Sequence, residues 1–337
     1  MITRLRALAA AVLATALVAT VGCSDSGPEP GGGSDGPDRV TYLTGFGTGG
    51  HDAFAWVAKE KGFYRDAGLD VEIQLGAPAT NAQGLISGQA QFTYSDVTQL
   101  MIQAGARRIT DLRIIAAVHQ STLVAILAPE GSGVRTPKDL AGKKVGVAAG
   151  SITSTLLPAY GRLAGFDANT LEFAEATPQN LVGLLASGQV DVLSTFVITQ
   201  NTVETVTGKK MVVLPVADHL PDLLGTGLTT TADYARQNPD LVRRFREASM
   251  AGLRYTIEHP DEAAKIMKAN NPAVNEQGAA AEIRLMTPYV TAAPGGVVGA
   301  IDPQRAARAV TVLQQAGLVP PTLTPEQVID FSLVPKA

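Results

Sequence analysis

The chain has 337 residues, 45% of them hydrophobic and 17% charged, and a formal charge of −4. Length suits two domains with sizeable cores, and so high an apolar fraction excludes disorder along the whole chain. A single Cys excludes an internal disulfide framework, and a pI near 5.6 without a long basic run argues against a nucleic-acid partner.

Arg4 and Arg6 precede an uncharged run of 15 residues from Ala7 to Val21. That is short for a membrane span, which needs about 20 residues, and suits the core of a secretory signal. The run ends in Thr20-Val21-Gly22-Cys23. This resembles the bacterial lipobox, in which small residues precede a Cys that is lipidated and becomes the new N-terminus. Residues 1–22 are therefore expected to be a lipoprotein signal peptide. The Gly/Pro/Ser/Asp-rich stretch after it makes residues 23–38 a flexible tether. Losing residues 1–22 removes two Arg and no acid, leaving 25 basic against 31 acidic side chains and a charge of −6. No second apolar run approaches the length of a span, so no transmembrane helix is predicted. The expected location is extracytoplasmic, lipid-anchored through Cys23 to the bacterial cell membrane.

From residue 40 the pattern alternates. Val40–Phe46 reads as a strand, Ala53–Lys61 as a helix ended by Gly62, and Leu69–Leu75 alternates apolar and polar residues at strand period. Asn81–Ile86 is a short helix, Gln91–Tyr94 a strand and Val97–Gln103 a helix. Leu112–Val118 and Leu123–Ala128 are apolar enough for buried strands. A short helix at Asp139-Leu140 precedes a strand at Val145–Ala148. Thr153–Ala164 is helical, Leu171–Ala174 a strand, Leu181–Ala186 a helix and Val190–Phe196 a strand. This alternation predicts an α/β fold with mainly parallel sheets. Beyond it, Pro239–Tyr255, Asp261–Lys268, Gln277–Met286, Pro303–Gln314 and Pro325–Phe331 read as helices, a C-terminal helical cover. Residues 81–89 (NAQGLISGQ) and 180–189 (NLVGLLASGQ) echo each other before a strand, which supports two similar lobes.

Recognisable catalytic chemistry is missing. His51, His119, His219 and His259 form no close pair, and there is no zinc signature, GxSxG elbow, Walker A loop or dinucleotide fingerprint. No catalytic residue, metal or cofactor is predicted. The informative layout is a set of strand ends followed by small or polar residues at helix starts, where free N–H groups and hydroxyls collect. Open α/β sheets bind ligands at the carboxyl ends of their strands. Five segments qualify. Gly47–Asp52 offers Gly50 and His51, Gly76–Thr80 offers Ala77, and Tyr94–Asp96 offers Ser95 and Asp96. Ala149–Ser154 offers Gly150, Ser151, Thr153 and Ser154. Thr195–Gln200 offers Thr195, Phe196 and Gln200. Phe46 and Thr226 complete the candidate ligand-binding set.

Residues 51–73 (HDAFAWVAKEKGFYRDAGLDVEI) resemble the opening of ABC-transporter solute-binding proteins of the thiamine-pyrimidine, aliphatic-sulfonate, taurine and nitrate type. Ala58, Glu60, Gly62, Phe63, Gly68, Leu69 and Val71 carry the likeness. Leu85–Gln89, Thr136–Gly146 (TPKDLAGKKVG), Gly188, Asp191, Asn238-Pro239 and Pro260–Ala263 continue it, in family order, across about residues 40–290. The resemblance implies a two-lobed, type II periplasmic-binding-protein fold with a hinge and a central cleft. Lobe one would be residues 39–132 and 222–337, and lobe two 133–221, joined near Ala128–Gly131 and Gly225–Thr229. It implies hinge closure on a small molecule, delivery to an ABC permease, and a monomer without enzymatic activity.

The ligand stays open. A thiamine-precursor-like pyrimidine or related heterocycle calls for a stacking ring from Trp56, Phe46, Tyr94, Tyr160 or Phe196. Trp56, mid-helix, is expected in the core or at the cleft edge. Gln200 or Asn201 stands where some pyrimidine binders carry an acid. An oxyanion such as an alkylsulfonate, taurine or nitrate calls for the hydroxyls of Ser95, Ser151, Thr153 and Ser154. Arg is scarce here, since Arg107, Arg108 and Arg135 sit in surface-like contexts. His51 can donate to either class. A ligand-sensing domain and a pyrimidine-synthase-like enzyme are the further alternatives; the synthase branch's Cys-rich iron motif has no counterpart in this sequence.

Overall fold

The computed structural model describes residues 36–45, 47–291 and 296–336. The signal segment, Cys23, most of the tether and Phe46 lie outside the described residues. The chain begins with β1 (Asp38–Leu43), α1 (Ala53–Glu60), α2 (Phe63–Asp66), β2 (Leu69–Gln74), α3 (Pro78–Ile86), β3 (Thr93–Asp96), α4 (Val97–Gly105) and β4 (Leu112–Ala117). It continues with β5 (Val124–Pro129), β6 (Lys144–Ala148), α5 (Ile152–Thr155), α6 (Leu157–Ala164), β7 (Glu172–Ala176), α7 (Pro178–Ala186), β8 (Val192–Phe196), α8 (Gln200–Thr207) and β9 (Met211–Pro215). After β10 (Thr226–Thr231) come α9 (Ala232–Gln237), α10 (Pro239–Glu258), α11 (Pro260–Asn270), α12 (Glu276–Thr291) and α13 (Pro303–Gln315).

Local chemistry sets many of these bounds. Gly62, at φ 81, takes the left-handed turn that separates α1 from α2. Asp96 caps α4 by accepting from the Gln99 N–H at 2.7 Å. Pro78 opens α3 earlier than the predicted Asn81. The predicted helix Thr153–Ala164 is instead two, because Pro158 has no N–H to donate one turn back. Among the described residues, no helix is long and apolar enough to cross a membrane.

The expectation of mainly parallel sheets needs correction. β1–β2, β6–β7 and β6–β8 pair parallel, whereas β10–β3, β10–β4, β5–β8 and β5–β9 pair antiparallel. The antiparallel partner in each sheet is the first strand to arrive after the chain crosses from the other sheet. It therefore runs against its new neighbours. One sheet has the order β7-β6-β8-β5-β9, and another β3-β10-β4. A bridge between Tyr42 and Phe92 attaches β1 and its partner β2 to β3. The first assembly thus reads β2-β1-β3-β10-β4, the same topological order as the second. The echoed segments fall at equivalent places: α3 precedes β3 and α7 precedes β8. Both helices end in the same way, at Gly88 (φ 75) and Gly188 (φ 72). β5 is apolar and buried within the second sheet, so the sheets divide after β4, ahead of the hinge expected near Ala128–Gly131.

Two crossings, residues 118–123 and 216–225, connect the sheets and bond to each other. Thr122 N–H donates to Leu223 O at 3.0 Å and Gly225 N–H to His119 O at 3.2 Å. Arg305 of α13 straps both, donating to Ser121 Oγ at 3.0 Å and Pro221 O at 2.7 Å. Beside the first sheet, Phe245 of α10 stacks on Phe92 at a centroid distance of 3.8 Å and on Tyr64 at 5.2 Å. Gly252 lets α10 lie directly on α1, where a Cβ would overlap the Phe54 carbonyl.

Candidate functional site

The carboxyl end of β1 opens a buried polar cluster. Strand alternation points Tyr42 inward, and its hydroxyl donates to Asp52 Oδ1 at 2.8 Å. The fully buried Asp52 also accepts from the Gly45 N–H, at 3.2 and 3.1 Å to its two oxygens. His51 lies between two acids: Nε2 is 3.6 Å from Asp52 Oδ2, and Nδ1 is 3.2 Å from Glu282 Oε2 of α12. Glu282 Oε2 also accepts from the Gly50 N–H at 2.5 Å. Tyr94 at the end of β3 meets the His51 ring edge-on at 6.0 Å. Burial first and the Asp52 carboxylate second push the Tyr42 and Tyr94 phenols well above their ordinary value, with Glu282 adding to the effect on Tyr94. Both phenols stay neutral.

The ends of β3 and β4 and the start of β10 meet beside this cluster. Thr226 pairs with Asp96 and Gly227 with Ser95 across the ladder. Burial pushes the Asp96 carboxyl up to about 7, against the pull of its Gln99 and Thr98 N–H bonds. His119, just past β4, sets Nδ1 2.6 Å from Thr226 Oγ1. Its Nε2 is buried and has no hydrogen-bond partner. Burial, with His51 nearby, holds its imidazole down at about 3, so the ring is neutral. A buried polar atom without a partner is costly, and such atoms often mark a place where a ligand or water completes the bonding.

The second sheet contributes a hydroxyl-rich edge. After β6, Gly150 turns at φ 65. Ser151 Oγ then donates to Ala148 O at 2.7 Å and lies 2.6 Å from Thr153 Oγ1. Ser154 bonds back to Ser151 O, while Thr153 O accepts from the buried Ser194 hydroxyl of β8. Thr195 Oγ1 is 3.3 Å from Thr199 Oγ1, and Phe196 is half-buried. Gln200 turns along α8 to Glu204 Oε1 at 3.0 Å. Helix α12 packs on both edges, against Gly50–Asp52 and against Val197–Thr199.

The predicted residues therefore form two groups. Gly50, His51, Ser95, Asp96 and Thr226 gather at the first edge; Gly150, Ser151, Thr153, Ser154, Thr195, Phe196 and Gln200 gather at the second. Ala77 joins neither by side chain: it is exposed, and its N–H is taken by Asn81 Oδ1 at 2.9 Å. Trp56 is half-buried against the core. Tyr160 is fully buried on Phe166 and His219, away from a stacking role. Arg107, Arg108 and Arg135 are exposed. Sequence reasoning missed Tyr42, Asp52, His119 and Glu282 as site residues. An acid within the small-residue run AAAEI was the available signal for Glu282.

A sequence model of the family described as NMT1/THI5 like matches residues 51–263. The formylaminopyrimidine-binding protein of Halalkalibacterium halodurans is 24% identical over 227 residues, 66% of this chain and 67% of that protein. A Bacillus subtilis protein, named as a candidate aliphatic sulfonates-binding protein, is 30% identical over 220 residues, 62% of this chain and 64% of its own. These matches span about two thirds of each relative's length. The periplasmic aliphatic sulphonate binding protein of Escherichia coli superposes with a TM-score of 0.69 at 16% identity, covering 86% of this chain and 97% of that one. At that identity the likeness establishes the fold, that of a periplasmic binding protein with a helical C-terminal region.

Proposed function

The chain belongs to the NMT1/THI5-like family, and from that premise we propose that it is the solute-binding component of an ABC importer. It captures a small organic molecule, a thiamine-precursor-like pyrimidine or related heterocycle, outside the cytoplasmic membrane. The observation that carries this reading is the pair of polar edges, at the carboxyl ends of the strands of both sheets, with α12 packed on each. A relative named for binding a formylaminopyrimidine supports the heterocycle, and one named for aliphatic sulfonates supports only the solute-binding role.

Lobe one comprises residues 39–132 and 222–337 in this reading and lobe two 133–221, except that β5 moves with lobe two. Closure bends the crossings at 118–123 and 216–225, and traps the ligand between the edges. Cys23 carries lipid and tethers the monomer to the membrane beside its permease. No chemical step on the ligand is part of this role.

The test is native mass spectrometry of the purified protein for a co-purified ligand, followed by calorimetric titration with formylaminopyrimidine and with an aminopyrimidine that lacks the formyl group. Saturable binding without turnover supports the role. A protein that retains nothing and binds none of the compounds refutes the heterocycle reading. An oxyanion is the second reading, favoured by the hydroxyls of Ser151, Thr153 and Ser154. Nitrate and methanesulfonate in the same titration separate it from the first.

A further inference from the structure

The short 3-10 turn Gly50–Asp52 that leads into α1 presents the Gly50 N–H with an imidazole beside it, a pairing suited to an anion. In this chain a carboxylate has already taken that place. Glu282, 232 positions away in the sequence, accepts from the Gly50 N–H at 2.5 Å and lies 3.2 Å from His51 Nδ1. Its side chain is 19% exposed, so it is not sealed in the core. A second carboxylate, Asp52, stands on the other side of the same imidazole. Independently, His119 Nε2 is buried without a partner, on a ring close enough to His51 for the two to interact electrostatically. A polar ligand atom there would complete its bonding, and the ring is neutral.

We propose that Glu282 is a specificity-determining residue: it fills the anion position at the start of α1 and bars oxyanions, leaving His119 Nε2 to bond an uncharged or cationic ligand. This deepens the solute-binding role and rests on it. An entering nitrate or sulfonate must displace Glu282 and then face two carboxylates in a water-poor site, where like charges repel strongly. A neutral heterocycle meets no such barrier and offers a ring nitrogen or amine to the imidazole.

Glu282→Ala removes the internal anion. Glu282→Gln keeps the size of the side chain and an acceptor for the Gly50 N–H but drops the charge, so it carries the test if the alanine variant folds poorly. The full chain and both variants are titrated with sodium nitrate and sodium methanesulfonate at constant ionic strength, read by calorimetry. The expected result is no saturable binding to the wild type up to about 10 mM, with affinity raised at least tenfold in a variant, as the loss of one repelling charge requires. Wild-type binding of either anion that the substitutions leave unchanged, or variants as unresponsive as the wild type, overturns the proposal. A wild type that binds no neutral heterocycle counts against the heterocycle reading of the solute-binding role instead. The anion comparison stays readable in that case, so the two failures are distinguishable.

Discussion

His119 makes stability depend on pH in a direction that can be worked out beforehand. Burial, with His51 nearby, holds its imidazole at about 3, against 6.5 in the ordinary case. The folded protein therefore keeps the ring neutral while the unfolded chain takes up a proton below about pH 6.5. The stability it contributes is complete above that pH and is lost as the pH falls toward 3. One pKa unit is worth about 1.4 kcal/mol, so acidification from pH 8 to pH 5 costs about 2 kcal/mol through this residue. His119→Asn removes the titration and keeps a polar atom near the position that bonds Thr226 Oγ1. Urea unfolding of both proteins at pH 8 and pH 5 is the assay. The substitution carries a constant penalty for altered packing, but the wild type should lose about 2 kcal/mol more than the variant on acidification. Taking the difference between the proteins cancels the opposing contribution of Asp96. Equal acid sensitivity in the two proteins would refute the reasoning, because it would mean that the ring is solvated or already paired.

Three further outcomes are expected. Asp96, pushed up to about 7, takes up its proton in the fold before the unfolded chain does, so its contribution is present in acid and lost as pH rises from about 4 to 7. Asp96→Asn keeps the helix cap and should gain about 1–2 kcal/mol on the wild type between pH 4 and pH 8, after allowance for partial exposure, by the same urea measurement. Gly252→Ala drives a Cβ into the Phe54 carbonyl and against Ala58 and should cost about 2 kcal/mol, seen as a lower urea midpoint with an unchanged slope. Cys23→Ala should move the protein from the membrane fraction to the soluble one with its melting curve unaltered; persistence in the membrane fraction would rule out the lipid anchor.

Much of the candidate site was legible because it depends on short-range signals. A glycine or hydroxyl residue just past an apolar strand marks a strand's carboxyl end, which located Gly50, His51, Ser95, Asp96 and the Ser151–Ser154 loop. Ala77 followed the same rule and fell outside, because Asn81 and Thr44 consume the donors of its loop. Tyr42 and Asp52 lie one on a strand and the other at a helix start. Nothing in their spacing shows that a phenol on an inward-facing strand position will meet a buried carboxylate.

The sequence by itself determined the order of most strands and helices up to β8 and of α10 to α13, the glycine ends of α1, α3 and α7, and the internal echo, because hydrophobic period and capping act over a few residues; it left α8, β9 and α9 unread, and the helix expected at Pro325–Phe331 is only a 3-10 turn at Pro325–Gln327. Only the tertiary structure decided that β5 and β10 run against their neighbours, since strand direction depends on which sheet receives a crossing chain. The same holds for Glu282, which the fold of α12 brings to the Gly50 N–H across 232 positions. A carboxylate's partner is chosen by three-dimensional closeness and burial, and no local pattern records either.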